Sequence, residues 1–116
     1  MNGGIDQLIE FIAQHFSFDV AIYPELKGAT EDERLKFAIR HSALHFAKTA
    51  GKIAAVSEDA DHGEDINIED LKINISKSLI NTLRLAELVQ LSEDDLTKRI
   101  YQLYEPDSNS KNVADE

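Results

Sequence analysis

The sequence predicts an all-α protein, and three observations support this fold class. Apolar residues recur at helical spacing over long segments, whereas the alternation typical of strands is nearly absent. Only two prolines and five glycines occur among 116 residues, so few positions interrupt a helix. Residues that favour helix starts (Thr30, Asn67 and Ser92) each precede acidic residues in the following turn.

The first helix is expected from about Ile5 to His15. Its apolar stripe consists of Ile5, Leu8, Ile9 and Ile12. Residues 16–28 form a connector that contains Pro24 and is apolar enough to pack against the helices rather than project from them.

The second helix begins after Thr30, because Thr30 and Glu33 have the spacing of a capping box, and it continues to about Ser57. Gly51 lies inside it and either allows close approach of a neighbouring helix or is simply tolerated. Residues 58–64 are expected to form an acidic loop.

The third helix begins near Asn67 and runs to about Leu91. Its apolar residues cover a wide arc: Ile68, Leu71, Ile73, Ile75, Leu79, Ile80, Leu83, Ala86 and Val89. A helix that is apolar over so much of its circumference needs more than one neighbour, and another subunit is one source. Ser92 and Asp95 start a fourth helix, Glu93 to about Tyr104.

The length fits a single domain, residues 1–104, followed by a flexible polar tail, residues 105–116. No apolar run approaches the roughly 20 residues that cross a bilayer, and the opening residues lack the pattern of a secretory signal. The absence of cysteines excludes disulfides and thiolate metal sites, and it permits the cytoplasmic location that we expect.

The charge is unevenly distributed. The net charge is −10, which argues against binding to nucleic acid or to anionic membranes. However, residues 34–57 and 71–86 contain eight bases and no acid, so the rest of the chain carries −18. These stretches either reflect chance and packing or form a positive surface for a compact anion.

Two lines of polar residues follow the long helices. The second helix carries His41, His45, Lys48 and Lys52, and the third carries Asn74, Lys77, Asn81 and Arg84. If the helices pack antiparallel, both lines can face one cleft. Otherwise they are solvated faces on opposite sides of the bundle, which periodicity alone favours.

No metal site is expected from these residues. His41 and His45 have the spacing of a metal-binding pair, but no adjacent position supplies a third ligand, and Lys48 would repel a cation. Residues 58–64 do not match a calcium-binding loop.

Residues 45–54 (HFAKTAGKIA) and 74–87 (NISKSLINTLRLAE) resemble the MazG-like all-α nucleoside triphosphate pyrophosphohydrolases. The likeness covers about residues 34–100. It implies a helical bundle that forms dimers or dimers of dimers and hydrolyses nucleoside triphosphates to the monophosphate and pyrophosphate. It also implies magnesium ions held by a Glu-Glu-x-x-Glu motif on one helix and a Glu-x-x-Asp motif on the next.

This chain departs from the family at the positions of the metal ligands. They fall on Lys48, Thr49, Lys52, Asn74 and Lys77. None is an acid and three are reversed in charge, so the family's ligands cannot be carried over and no catalytic residue is assigned. The fold can be inherited without the activity.

Three hypotheses follow from these residues. The first is a MazG-like protein without the standard metal-dependent activity, which needs no cofactor and binds a nucleotide or another phosphate compound. Its proposed contacts are Lys48, Lys52, Lys77, Arg84, His41, His45, Asn74 and Asn81. The second is a helical oligomer that acts as an interaction module and has no small-molecule ligand. The third is an active hydrolase whose metal site has moved to Glu58, Asp59, Asp61, Glu64 and Asp65.

Overall fold

The computed structural model describes residues 4–105, and this part of the chain is all-α, as predicted. It contains four α-helices: α1 (Gly4–His15), α2 (Glu31–Asp61), α3 (Ile68–Leu88) and α4 (Glu93–Tyr104). A short 3-10 turn, Pro24–Leu26, lies in the connector between α1 and α2. Residues 106–116 of the predicted tail lie outside the described residues.

The starts of α2, α3 and α4 are where the sequence predicts them, because each of these three starts is fixed by a local cap. The Thr30 hydroxyl accepts a hydrogen bond from the Glu33 backbone at 3.1 Å, and the Glu33 carboxylate accepts one from the Thr30 backbone at 2.8 Å. Ser92 and Asp95 form the same reciprocal pair at the start of α4. The Asn67 side chain caps α3.

Helix α2 is longer than predicted. It continues to Asp61, so the expectation of a loop over residues 58–64 is wrong for residues 58–61. Gly63 ends the helix in the left-handed conformation, with φ of 91°. Its N–H donates to Ala60 at 3.2 Å, and the N–H of Glu64 donates to Asp59 at 3.1 Å, which satisfies carbonyls of the last turn.

Helix α3 is shorter than predicted, because it ends at Leu88 rather than near Leu91. Gln90 adopts φ of 60° and is the only non-glycine residue with a positive φ in the described chain. The Gln90 N–H donates to Glu87 at 3.1 Å, and the Leu91 N–H donates to Ala86 at 2.8 Å. This is the same C-terminal motif as in α2, with glutamine in the glycine position.

Helices α2 and α3 form the central pair of the fold. They are joined only by residues 62–67 and pack against each other in antiparallel fashion, while α1 packs on α3. The start of α4 is tied to the start of α1: the Glu93 carboxylate accepts from the Ile5 backbone at 2.9 Å, and Asp6 accepts from the Glu93 backbone at 2.8 Å.

The described chain buries little apolar surface. The buried apolar residues are Ile12, Leu26, Ala38, Val56, Leu83 and Ala86, whereas 17 large apolar residues are exposed. The radius of gyration is 17.7 Å, compared with about 13 Å for a compact domain of roughly this length. None of the described helices is both long and apolar enough to cross a membrane.

Candidate anion-binding cleft

A cleft of about 460 Å³ lies between α2 and α3 and brings together most of the predicted site residues. Seven of the eight line it: His41, His45, Lys48 and Lys52 from α2, and Lys77, Asn81 and Arg84 from α3. The two polar lines therefore face one another across a shared space. The alternative that periodicity alone favours, two solvated faces on opposite sides of the bundle, is wrong.

Asn74 is the one predicted site residue that does not line the cleft. Its side chain is 2% exposed, and its amide N–H donates to the Asp70 carbonyl at 2.9 Å. The Asn74 Oδ1 is buried without a hydrogen-bond partner in the described chain. The structure therefore places Asn74 in the packed interior rather than in the wall of the site.

The connector supplies two cleft residues that sequence reasoning missed, Phe16 and Tyr23, and the long helices supply two more, Thr49 and Ile80. The apolar composition of residues 16–28 indicates that the connector packs down, but it does not say against which helix face. Only the structure shows that the connector closes one end of the cleft.

An aromatic cluster holds His41 in place. The rings of Phe18, Tyr23 and Phe37 lie with centroids 5.7, 5.2 and 5.8 Å from the His41 ring. The Tyr23 hydroxyl lies 3.2 Å from His41 Nε2, within hydrogen-bond distance. His45 follows one turn later on α2, with its ring centroid 4.6 Å from that of His41.

Burial lowers the pKa of His41 below its usual value of 6.5. The positive charges that His45 and Arg84 contribute lower this pKa further, while Glu25 partly opposes them. His41 is therefore a neutral imidazole at pH 7 when the cleft is empty.

Arg84 has a structural role as well as a position in the cleft. Its side chain is buried, and one guanidinium nitrogen donates to the Phe16 carbonyl at 2.9 Å. The guanidinium carbon lies 4.3 Å from the Phe18 ring centroid and 5.4 Å from that of Phe16. Arg84 thus holds the connector against α3, and the guanidinium has further N–H donors beyond the one that Phe16 uses.

A buried polar link connects the two walls. The Thr49 hydroxyl donates to the His45 carbonyl at 3.0 Å, and the Asn81 amide lies 3.4 Å from the same hydroxyl oxygen. Thr49 and Asn81 are both less than 10% exposed. Because Thr49 lies on α2 and Asn81 on α3, this contact fixes the register of the two polar lines relative to each other.

The positive charges of the cleft are not neutralised by acids of the described chain. The ion pairs within residues 4–105 join Lys36 to Asp32 and Lys98 to Asp94, both at exposed positions away from the cleft. By contrast, Lys48, Lys52, Lys77 and Arg84 have no described carboxylate within 4.0 Å. Four cationic side chains thus share one cleft in a chain with net charge −10.

The residues present do not fit a magnesium site. The positions that the resemblance to the MazG-like family equates with metal ligands carry Lys48, Thr49, Lys52, Asn74 and Lys77, whereas magnesium requires hard oxygen ligands. Across residues 4–105, no group of three or more His, Cys, Asp or Glu residues is arranged to hold a metal ion. Among the described residues, the acids of residues 58–65 belong to no group of this kind.

Comparisons of the chain with protein-family models, with curated proteins and with solved structures find no match.

Proposed function

We propose that the chain is a cytoplasmic MazG-like protein that binds a nucleotide or another phosphate-containing ligand in its basic cleft without a metal. We also propose that it lacks the metal-dependent pyrophosphohydrolase activity of that family. The observation that supports this function is the convergence of Lys48, Lys52, Lys77 and Arg84 on one cleft without a described carboxylate nearby.

The physical basis is electrostatic. Three ammonium groups in one cleft repel each other, and a polyanion between them converts that repulsion into attraction. Lysine donates charge-assisted hydrogen bonds to phosphate oxygens and so replaces part of what a metal does for the ligand. It does not generate hydroxide from bound water, which is why binding without hydrolysis is the expected outcome.

The cleft also has space and apolar surface for an organic group. Its volume of about 460 Å³ is within the range of small-molecule sites, roughly 300–1,000 Å³. Phe16, Tyr23 and Ile80 supply apolar wall next to the cationic residues. This combination suits a phosphate compound that carries a ring or another apolar part.

Calorimetry tests the proposed binding. A panel of nucleoside triphosphates and inorganic triphosphate would be titrated into the protein with magnesium and with a chelator, and pyrophosphate release would be followed in parallel. We expect binding in the chelator and no release. Absence of binding at millimolar ligand, or binding that requires magnesium, would contradict the proposal.

A pair of charge reversals on α3 tests the location. Lys77 lines the cleft, whereas Lys72 lies on the same helix, is exposed and does not line it. We expect Lys77→Glu to weaken binding by at least about tenfold, or ~1.4 kcal/mol, and Lys72→Glu to leave it near the wild-type value. Equal effects of the two substitutions would place the ligand elsewhere.

The second candidate is a helical homo-oligomer that acts as an interaction module, and the 17 exposed large apolar residues favour it. In this case the cleft lysines pair with acids of another subunit or of a partner, such as those in residues 58–64. An oligomer that dissociates in salt and does not respond to nucleotides would favour this function. Homo-oligomerisation, as a dimer or larger, is also part of the first proposal.

A further inference from the structure

We propose that His41, which lies beside His45 in the cleft, couples ligand binding to proton uptake, so that the cleft holds phosphate compounds more tightly as the pH falls from about 8 to about 6. This inference rests on the proposed function, because it concerns the regulation of the same site.

The geometry places both imidazoles among the cationic residues of the cleft. Their ring centroids are 4.6 Å apart, and both rings line the cleft together with Lys48, Lys52 and Lys77. Two imidazoles therefore share one space with the cationic side chains of the cleft.

Every element packed around His41 contributes a group that bears on its charge. The connector contributes the Tyr23 hydroxyl at 3.2 Å, and α3 contributes the Arg84 guanidinium. Among the described residues, Glu25 in the 3-10 turn is the carboxylate that acts on His41, and it is exposed. On α2 itself the neighbour is His45. The surroundings of His41 in the empty cleft are therefore predominantly positive.

This environment holds His41 neutral until an anion arrives. Burial and the positive neighbours lower its pKa, so the neutral imidazole is favoured when no anion is bound. A phosphate group in the cleft reverses the local field and favours the imidazolium. By linkage, a ligand that favours the protonated form is itself bound more tightly when the proton is present.

Because His41 contacts Tyr23, protonation of the His41 imidazole also changes the hydrogen-bond donors that the cleft offers. In the neutral tautomer with hydrogen on Nδ1, the Tyr23 hydroxyl donates to His41 Nε2. After protonation Nε2 becomes the donor, and the hydroxyl hydrogen is free to turn towards the cleft that Tyr23 lines. Protonation therefore adds both a positive charge and a hydrogen-bond donor to the site.

The test uses inorganic triphosphate as the probe and the full chain as the protein. Calorimetry between pH 8 and pH 6, in two buffers of different ionisation enthalpy, measures the dissociation constant and the protons taken up on binding. We expect proton uptake near pH 7 and a dissociation constant that falls about tenfold over this range. Binding that is independent of pH would overturn the proton coupling and leave the proposed function standing, whereas no binding at any pH would overturn both.

Two histidine variants separate the protein's titration from that of the ligand. We expect His41→Asn to bind triphosphate at pH 8 and to lose the added affinity at pH 6. His62→Asn is the matched control, because His62 follows the last turn of α2 and contacts the Glu58 carbonyl at 3.0 Å, away from the cleft. It should retain the wild-type profile, and a His41→Asn profile that also matches the wild type would contradict the proposal.

A measurement on the unmodified protein covers the case in which His41→Asn does not fold. Nuclear magnetic resonance of the imidazole Cε1–H signals gives the pKa of each histidine with and without triphosphate. We expect the pKa of His41 to rise when triphosphate binds. An unchanged pKa for His41 in the bound protein would overturn the inference.

Discussion

Arg84 joins two segments that lie far apart in the sequence. It projects from α3, donates to the carbonyl of Phe16 at 2.9 Å and lies 4.3 Å from the Phe18 ring centroid. The connector thereby closes the aromatic end of the cleft. Arg84, which the sequence predicts to be a ligand contact, thus also positions the wall of the cleft against which a ligand would lie.

Replacement of Arg84 by lysine keeps the charge but removes the planar donor group. An ammonium cannot both reach the Phe16 carbonyl and cover the Phe18 ring, so we expect Arg84→Lys to lower the free energy of unfolding by about 1–3 kcal/mol in urea denaturation. Arg99→Lys, at an exposed position of α4, is the control and should change it by less than about 0.5 kcal/mol. Equal stabilities of the two variants would show that the Phe16 contact adds nothing.

Residue spacing predicts which side chains share a line but not how each one is packed. The line on α3 correctly includes Lys77 and Arg84, which reach the cleft. Asn74 and Asn81 are seven residues apart and so occupy nearly the same angular position, and both are buried. Asparagine side chains are usually exposed to solvent. The sequence therefore contains no signal that the face of α3 that carries Asn74 and Asn81 lies inside the fold. The permanent charges of the site could be predicted, whereas the burial of its amides could not.

At the end of α3, one residue, Gln90, has an unfavourable backbone conformation. Gln90 adopts φ of 60° after α3, where most proteins place glycine. A side chain there costs about 1–2 kcal/mol relative to an ordinary helical residue, and part of this cost is relieved when the side chain is removed.

We expect Gln90→Gly to raise the free energy of unfolding by about 0.5–1 kcal/mol, after allowance for the greater freedom of glycine in the unfolded chain. Gln7→Gly, within the regular part of α1, should lower it by about 1 kcal/mol. Thermal and urea denaturation would measure both. A loss of stability in Gln90→Gly would mean that the glutamine side chain makes contacts that outweigh its backbone strain.

Helix starts were predictable because their signals are local, and helix ends were less so. Acidic residues do not interrupt a helix, so α2 continues through residues 58–61 until Gly63 provides a left-handed position. At Gly51, inside α2, an added Cβ would meet no atom within 4 Å in the described chain. No described helix therefore approaches this glycine closely, which agrees with simple tolerance.

At the scale of the whole molecule, much apolar surface lies open. A small apolar cavity of about 320 Å³ lies between α1 and α3. Three of the side chains that line it are also exposed, with Leu8 at 43%, Phe11 at 58% and Leu79 at 43%. Surface of this kind marks interfaces between proteins. It supports the proposed homo-oligomer.

We expect the full chain to form a dimer or larger homo-oligomer in light scattering coupled to size-exclusion chromatography. We expect Phe11 to be buried between subunits, so Phe11→Ser should raise the dissociation constant of the oligomer by at least about tenfold. Truncation of a buried aromatic residue at an interface costs about 2 kcal/mol or more. Ile22→Ser alters a similarly exposed residue of the connector and serves as the control. A wild-type protein that is monomeric at high concentration would contradict the expectation.

The fold class was predictable at this scale, since helical periodicity and the scarcity of glycine and proline act over the whole chain. The sequence also indicates that α3 needs more than one neighbour. Within the described chain α3 buries Leu83 and Ala86 but leaves Ile73 and Ile75 exposed. The proposed homo-oligomer would cover such residues, but the apolar pattern of a single helix does not specify which surface packs against it.

The separation of charge has opposite consequences for the arrival and the retention of an anion. A phosphate compound must first approach a molecule whose overall charge is −10, so the distant field repels it. Within about 10 Å, the screening length at 0.1 M salt, the cationic walls dominate. If a phosphate compound binds in the cleft, dissolved ions both ease its approach and weaken its retention, so its association and dissociation rates are both expected to rise with ionic strength.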